Sequence, residues 1–406
     1  MRPFVDDERL FDLVRKYGSP LYVYDEGMLR ERCREMRSLL PRRPFRVSYS
    51  AKANSNLEIL RIIGSEGIDV DAVSAGEIYL QQKAGFSADR IFFIANNVAS
   101  EELRFAVERG VLVSVDSLSQ LDLFGRNHPG APVAVRFNPG VGAGHHAKVM
   151  TAGASTKFGV QAELTGAVRK LVERHRLRLA GVNQHIGSLF LDGTRYLEAA
   201  AALLRIAREL PGLDFVDFGG GFGVPYREDE PRLDLGGLFE RLDPLLDQFT
   251  RDYGSKDILF RAEPGRYLVA QCGLLIGTVH SIKESYGVKY AGTDLGFNVL
   301  ARPVLYDSFH AIHVAKRGSR AAQTETVTVV GNLCESGDVL ARDRVLPRLV
   351  EGDLVAVLDA GAYGFSMASS YNCRLLPAEV LIARDGGDRL IRKRATLADL
   401  AKDFVA

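Results

Sequence analysis

The sequence predicts an α/β fold: a (β/α)8 TIM-like barrel followed by an all-β C-terminal domain. Three observations carry this expectation. Eight short runs rich in β-branched or aromatic residues precede residue 265, stretches with helical periodicity separate them, and beyond about residue 270 strand follows strand. Eight strand–helix units suggest a closed parallel barrel, with an open doubly wound sheet as the competing arrangement that periodicity alone leaves standing.

In chain order the expected barrel strands are Arg46 to Ser50, Asp69 to Val73, Ile91 to Ile94, Val111 to Val115, Val133 to Phe137, Ala180 to Gln184, Phe215 to Phe218 and Ile258 to Ala262. Between them the helical stretches are Leu57 to Gly64, Ala75 to Gly85, Ser100 to Gly110, Ser117 to Phe124, Gln161 to His175, Thr194 to Leu210 and Leu238 to Thr250. The C-terminal strands are Gly277 to Ile282, Thr326 to Val330, Asp353 to Leu358, Ala378 to Ala383 and Arg389 to Arg394, joined by Gly, Asp and Asn turns. The early run Leu21-Tyr22-Val23-Tyr24 precedes the first barrel strand by more than a helix length and is expected to pair with the β-domain. The domain boundaries expected are 26–270 for the barrel, and 1–25 with 271–406 for the β-domain.

Composition excludes several classes of function. Of the 406 residues, 52 are Lys or Arg and 51 Asp or Glu, a formal charge of +1, so no electrostatic footprint for nucleic acid or anionic membrane exists. The longest uncharged stretch, Tyr267 to Ile282, is interrupted by Gly273, Gly277, Gln271 and His280 and is too short to span a bilayer. The first residues are acidic where a secretory signal is basic and then apolar, which predicts a cytoplasmic enzyme. Cys33, Cys272, Cys334 and Cys373 lie far apart with no CxxC or Cys/His cluster, arguing for reduced thiols and against metal.

Barrel enzymes build their sites at the C-terminal ends of the strands. There stand Lys52 after strand one, Asp71 late in strand two, Arg136 at the end of strand five and His185 after strand six. Gly219-Gly220-Gly221 follow strand seven, and Glu263-Pro264-Gly265-Arg266 follow strand eight. Glycine backbones after strand seven admit an oxyanion closely, as a phosphate requires. A plain tight turn and a dinucleotide loop are the alternatives; no register gives G-x-G-x-x-G, because Val224 and Tyr226 occupy the third-glycine positions. Taken singly, Lys52 reads as a solvated rim lysine, Glu263 as an ion-pair partner of Arg266, and His185 as a structural histidine. Jointly they suit a phosphate-bearing aldehyde: the lysine amine can form a Schiff base and the carboxylate can hold a pyridine nitrogen protonated. That combination points to pyridoxal phosphate.

At these residues the sequence resembles the alanine-racemase-type barrel decarboxylases that use pyridoxal 5'-phosphate, the ornithine/diaminopimelate/arginine decarboxylase group, and within it the diaminopimelate branch. The motifs that carry the resemblance are Tyr49-Ser50-Ala51-Lys52-Ala53-Asn54, Asp71-Ala72-Val73-Ser74-Ala75-Gly76-Glu77, Lys157-Phe158-Gly159, His185-Ile186-Gly187-Ser188, Glu263-Pro264-Gly265-Arg266, Cys334-Glu335-Ser336-Gly337-Asp338 and Gly361-Ala362-Tyr363-Gly364. The resemblance implies that Lys52 carries the cofactor, that His185 stacks on its ring, and that Asp71 belongs to the cofactor site. It also implies that Ser188, Gly219, Gly220 and Gly221 hold the phosphate, that Gly265 and Arg266 belong to the cofactor site, that Glu263 pairs with the pyridine nitrogen, and that Tyr363 reaches the phosphate region. Arg266, Arg302, Tyr306, Glu335 and Tyr363 match substrate contacts, and Cys334 matches a proton donor supplied by the second subunit of a homodimer with shared active sites. The bland reading of Cys334 is an ordinary small buried residue.

Charge selects the substrate. Arg266 and Arg302 suit a distal carboxylate through bidentate pairing, and Glu335 suits a distal ammonium. A substrate with both at its far end is meso-2,6-diaminopimelate, decarboxylated to L-lysine and CO2. Three segments depart from the family pattern: Leu189-Phe190-Leu191, Asp307-Ser308-Phe309-His310 and Asn96-Asn97-Val98-Ala99. They leave open another amino acid with a charged distal group. A racemase of the same barrel type and a non-catalytic dimeric relative are further alternatives. Gly140 to Thr156, rich in Gly and His, is the expected closing loop.

Overall fold

A computed structural model describes residues 2–94, 96–142, 152–153, 156–255, 257–318 and 323–405. Most of the expected closing loop, Gly140 to Thr156, lies outside the described residues. The chain divides into two compact units. One comprises Arg30–Val224 and Pro231–Leu268; the other comprises Met1–Leu29, Pro225–Glu230 and Val269–Ala406.

The first unit contains the barrel. Its strands are β1 (Phe45–Ser50), β2 (Asp69–Ala72), β3 (Ile91–Ile94), β4 (Leu112–Val115), β5 (Pro132–Asn138), β6 (Arg178–Asn183), β7 (Phe215–Asp217) and β8 (Leu259–Ala262). Each pairs in parallel with the next, and β8 returns to β1 through Phe260↔Phe45, Arg261↔Arg46 and Ala262↔Val47. Closure removes the open doubly wound alternative. The strands are largely buried on both faces because helices cover the outside and side chains fill the inside, and polar residues such as Ser50, Asp71, Arg136 and Asn183 are buried toward their C-terminal ends. Phe92 of β3 and Phe215 of β7 lie on opposite sides of the ring of strands, yet their rings meet edge to face with centroids 5.4 Å apart. Gly181 makes this possible, since a Cβ there would stand 2.4 Å from the Phe215 ring. The barrel is thus a packed core whose parallel strands all end on one face, and that face collects Lys52, Asp71, Arg136, His185 and Glu263.

The second unit is built on a nine-stranded mixed sheet. Leu21–Asp25 lies inside it, antiparallel to Gly273–Ser285 through Leu21↔Ile276 and parallel to Ala378–Ile382 through Leu21↔Ala378. The expected pairing of the Tyr22 run with the β-domain therefore holds. Its period of two is plain: Leu21 and Val23 enter a core with Leu274, Ile276, Ala356 and Val380. On the other face the rings of Tyr22 and Tyr24 stack, and their hydroxyls donate to Val299 O (2.5 Å) and Glu379 Oε1 (2.7 Å). The sheet also contains Val288–Thr293, Ile312–Ala315 and Val339–Pro347, strands the sequence reading passed over. Among the described residues no helix is long and apolar enough to cross a membrane.

Candidate active site

Lys52, Asp71, Asn96, Arg136, Phe158, Asn183, His185 and Glu263 line one cavity of about 310 Å3 in the barrel unit. Lys52 sits in a short 3-10 turn, Ala51–Ala53, that directly continues β1. Ahead of it, the Ser50 hydroxyl donates to Asp71 Oδ2 at 2.5 Å. Behind it, the Tyr49 hydroxyl donates to Asn54 O at 2.9 Å and closes the turn. Local hydrogen bonds thus set the lysine at the strand end before any ligand is considered.

The buried acids define the electrostatics. Glu263, 4% exposed, has no hydrogen-bond partner at Oε1 among the described residues, and neither does Asp71 at Oδ1. Burial raises the Glu263 pKa well above the ordinary carboxyl range, with Asp217 and Asp71 adding to the rise and Lys52 and Arg136 opposing it. Burial likewise pushes Asp71 up to about 7 against the pull of Lys52 and the Ser50 hydroxyl. Such acids are unfulfilled until a cationic group or a donor enters the cavity.

His185 is fixed in one form. The Gly220 N–H donates to its Nδ1 at 3.2 Å, so the ring proton sits on Nε2. Burial, with Lys52 and Arg136 nearby, drives its pKa well below the usual imidazole value. The 4.0 Å approach of Nδ1 to Glu263 Oε2 is therefore a neutral contact and no ion pair. A neutral, immobile ring is suited to lie flat on another ring.

The glycines after β7 are required first by packing. A Cβ on Gly219 would stand 2.1 Å from Gln184 O, and one on Gly220 would stand 1.9 Å from Glu263 O. Their N–H groups are also committed, Gly219 to Asp217 Oδ1 (2.9 Å) and Gly220 to His185 Nδ1. Of the three, Gly221 is the one whose amide these bonds leave to a phosphate. The loop runs irregularly to the helix Leu235–Tyr253, so it lacks the strand–turn–helix geometry of a dinucleotide site. In the same unit Arg266, buried, donates from Nη2 to Ser188 Oγ at 3.0 Å, and Gly265 packs tightly on Ser50. An arginine, a serine and the Gly221 amide are donors of the kind a phosphate accepts from.

The remaining predicted residues belong to the β-sheet unit. Arg302, 1% exposed, begins the helix Arg302–Tyr306; its Nη1 donates to His310 Nε2 at 2.8 Å and its guanidinium faces the Tyr226 ring at 4.7 Å. His310 Nδ1 donates in turn to Leu358 O at 2.8 Å. Cys334 is exposed and its N–H donates to Asn372 Oδ1 (2.8 Å), while Glu335 accepts from the Tyr371 hydroxyl. Asp338 explains the end of that motif: its carboxylate accepts the Phe297 and Leu333 amides at 2.7 and 2.8 Å and pins the loop. Tyr363 adopts a left-handed φ of 56°. The sequence reading did not name Ser50, Asn183, Phe158 or His310 as site residues. Ser50, Phe158 and His310 stand in segments already singled out, whereas nothing in the local pattern marks Asn183.

The residues fit a phosphate-bearing pyridine aldehyde: a lysine at the cavity, a buried acid with an unsatisfied oxygen, a neutral ring and donors suited to a phosphate. The described residues hold no cluster of His, Cys, Asp or Glu arranged for a metal. The sequence model of the family described as "Pyridoxal-dependent decarboxylase, pyridoxal binding domain" matches residues 26–270. A diaminopimelate decarboxylase of Methanothermobacter thermautotrophicus is 43% identical, covering 96% of this chain and 92% of the relative. A crystal structure of a diaminopimelate decarboxylase superposes with a TM-score of 0.91 at 35% identity, covering 98% of this chain and 97% of the other. The Helicobacter pylori diaminopimelate decarboxylase complexed with L-lysine gives 0.88 at 31% identity, covering 97% and 98%. Fold, cavity and similarity agree over nearly the whole length, and the chain belongs to the pyridoxal-dependent decarboxylase family.

Proposed function

We infer that the protein decarboxylates meso-2,6-diaminopimelate to L-lysine and CO2 with pyridoxal 5'-phosphate. The observation that carries the chemistry is the buried, unsatisfied Glu263 carboxyl beside Lys52 in one cavity. The substrate reading rests on relatives of 35–43% identity that bear the name diaminopimelate decarboxylase. When bound, the cofactor supplies an aldehyde for the substrate amine and a ring that accepts the electron pair released with CO2.

The chain's own residues do the rest. Lys52 Nζ is the amine that would hold the aldehyde in the absence of substrate. The neutral His185 ring would lie against the cofactor ring and exclude water there. Glu263 stays ionised opposite the ring nitrogen once that nitrogen brings a proton, because a cationic partner offsets the burial that otherwise holds the carboxyl protonated. Ser188, the Gly219–Gly221 loop, Gly265, Arg266 and Tyr363 would hold the phosphate. Arg266, Arg302 and Tyr306 bind the distal carboxylate, and Glu335 the distal ammonium. Cys334 Sγ returns the proton to Cα. In this reading Cys334 and Glu335 come from the second subunit of a cytoplasmic homodimer.

CO2 release from a panel of amino acids tests the reading. The purified holoprotein is expected to act on meso-diaminopimelate and form one L-lysine per CO2. Release from ornithine or arginine, with none from meso-diaminopimelate, sinks it.

A further inference from the structure

In the β-sheet unit a second cavity, of about 600 Å3, lies outside the proposed chemistry. Arg227, Arg342 and Arg344 line it with Ser308 and Phe309, and Asp307 is the one carboxylate among its lining residues. The guanidinium carbons of Arg344 and Arg227 stand 3.6 and 4.0 Å from the centroid of the same Phe309 ring. Contact at that distance is a cation–π interaction and holds each planar fork in place, so ordering the arginines costs a ligand little. Among the described residues no ion pair joins any of the three arginines to a carboxylate, Asp307 included. Arg227 and Arg342 are exposed and Arg344 half-buried, while the Ser308 hydroxyl oxygen is buried and has no hydrogen-bond partner among the described residues. Burial, and to a lesser degree the neighbouring Arg227, push the Arg344 pKa down. Val304, Val339 and Leu340 supply an apolar wall beside the cations.

We propose that this cavity binds a small organic anion carrying two or more carboxylate or phosphate groups, gripped by Arg227, Arg342 and Arg344. Guanidinium forks take either group bidentately, an oxyanion between them relieves their mutual repulsion, and the cavity is of small-molecule size. The proposal does not depend on which amino acid the enzyme decarboxylates.

Isothermal titration of the purified holoprotein at low ionic strength tests it, with citrate and inorganic pyrophosphate as separate titrants and the cofactor's phosphate site already filled. One site per chain is expected, weakened about tenfold or more in Arg344→Gln and in Arg227→Gln, since each loses a charge-assisted hydrogen bond. Tighter binding of citrate marks the ligand as a carboxylate, and of pyrophosphate as a phosphate. No binding of either titrant by the wild type, or binding that Arg227→Gln/Arg344→Gln retains, overturns the proposal. Should circular dichroism show that the double variant is unfolded, exposed Arg342→Gln replaces it under the same tenfold criterion. A wild type that binds neither titrant while the folded double variant loses its self-association assigns the arginines to a subunit contact, which also overturns it.

Discussion

Glu263, Asp71 and Asp217 crowd three carboxyls into one buried site, and burial raises all three, Asp71 to about 7 and Asp217 to about 6. Without cofactor, the folded protein therefore binds protons that the unfolded chain has released at the same pH. Stability falls as pH rises between the unfolded values near 4 and the folded values near 7. His185, whose pKa is depressed, acts in the opposite sense below about pH 6.5, but one imidazole is set against three carboxyls. Cofactor-free protein is therefore expected to be more stable at pH 5 than at pH 7.5, a difference that Asp71→Asn should shrink; thermal unfolding at the two pH values measures it. For the loaded enzyme, Glu263→Gln leaves a ring nitrogen without its counter-charge. Removing one partner of a buried pair costs about 3 kcal/mol, roughly a hundredfold in turnover, with the cofactor's absorption band shifted but present. An unchanged rate would remove Glu263 from the proposed role. Lys52, His185 and Glu263 were legible in the sequence because each directly follows a recognisable strand. The role of Ser50, a residue of the Lys52 motif, and the presence of Asn183 were not, because they matter only once parallel strands bring Ser50 to Asp71 and Asn183 to Ser114, which donates to Asn183 Oδ1 at 2.6 Å.

Between residue and domain, the element most tightly determined is the loop after β7. The Gly219 and Gly220 positions press on the backbone of the chain after β6 and β8, so these turns are fixed together. Gly220→Ala forces a Cβ to 1.9 Å from Glu263 O and displaces the amide that holds His185. The expected result is loss of cofactor affinity together with a lower melting temperature, read by absorbance and thermal unfolding. Gly166→Ala is the contrast: an exposed position in the helix Thr165–Arg174 with open space around its Cβ, where the exchange should add up to about 1 kcal/mol. Elements with an unbroken period were legible. All eight barrel strands lie within two residues of their expected bounds, and the helix expected over Leu238 to Thr250 runs farther, from the Asp234 cap to Gly254. The strands passed over have physical reasons. Val339–Pro347 carries Arg342-Asp343-Arg344 at its centre, and its register shifts opposite Thr326–Val330 where Asp343 takes φ 49°, so its alternation is broken. Val288–Thr293 follows a tight turn at Tyr286-Gly287, both with positive φ, a hairpin signal hidden when Gly273–Ser285 is read as ending at Ile282.

At the scale of the whole molecule, the residues proposed for catalysis are split between a barrel unit with Lys52 and Glu263 and a β-sheet unit with Cys334 and Glu335. Cys334 and Cys373 are exposed on the single chain, whereas Cys33 and Cys272 are buried. An exposed thiol in a loop pinned by Asp338 is poorly accounted for as core packing, and suits a group presented to a second copy. If sites are shared, a Lys52→Ala chain still lends Cys334, and a Cys334→Ala chain still lends Lys52. Each variant alone is expected to be nearly inactive in forming lysine. Unfolded together and refolded at equal amounts, half of the dimers pair one chain of each kind. Each such dimer has one complete site of two, so activity should return to about a quarter of the wild-type value. Recovery at that level, with both pure variants staying inactive through the same treatment, requires Lys52 and Cys334 to act together from different chains. No recovery, with mixed dimers confirmed by mass, means that each site draws both residues from one chain, and the shared-site proposal then fails while the decarboxylase reading stands.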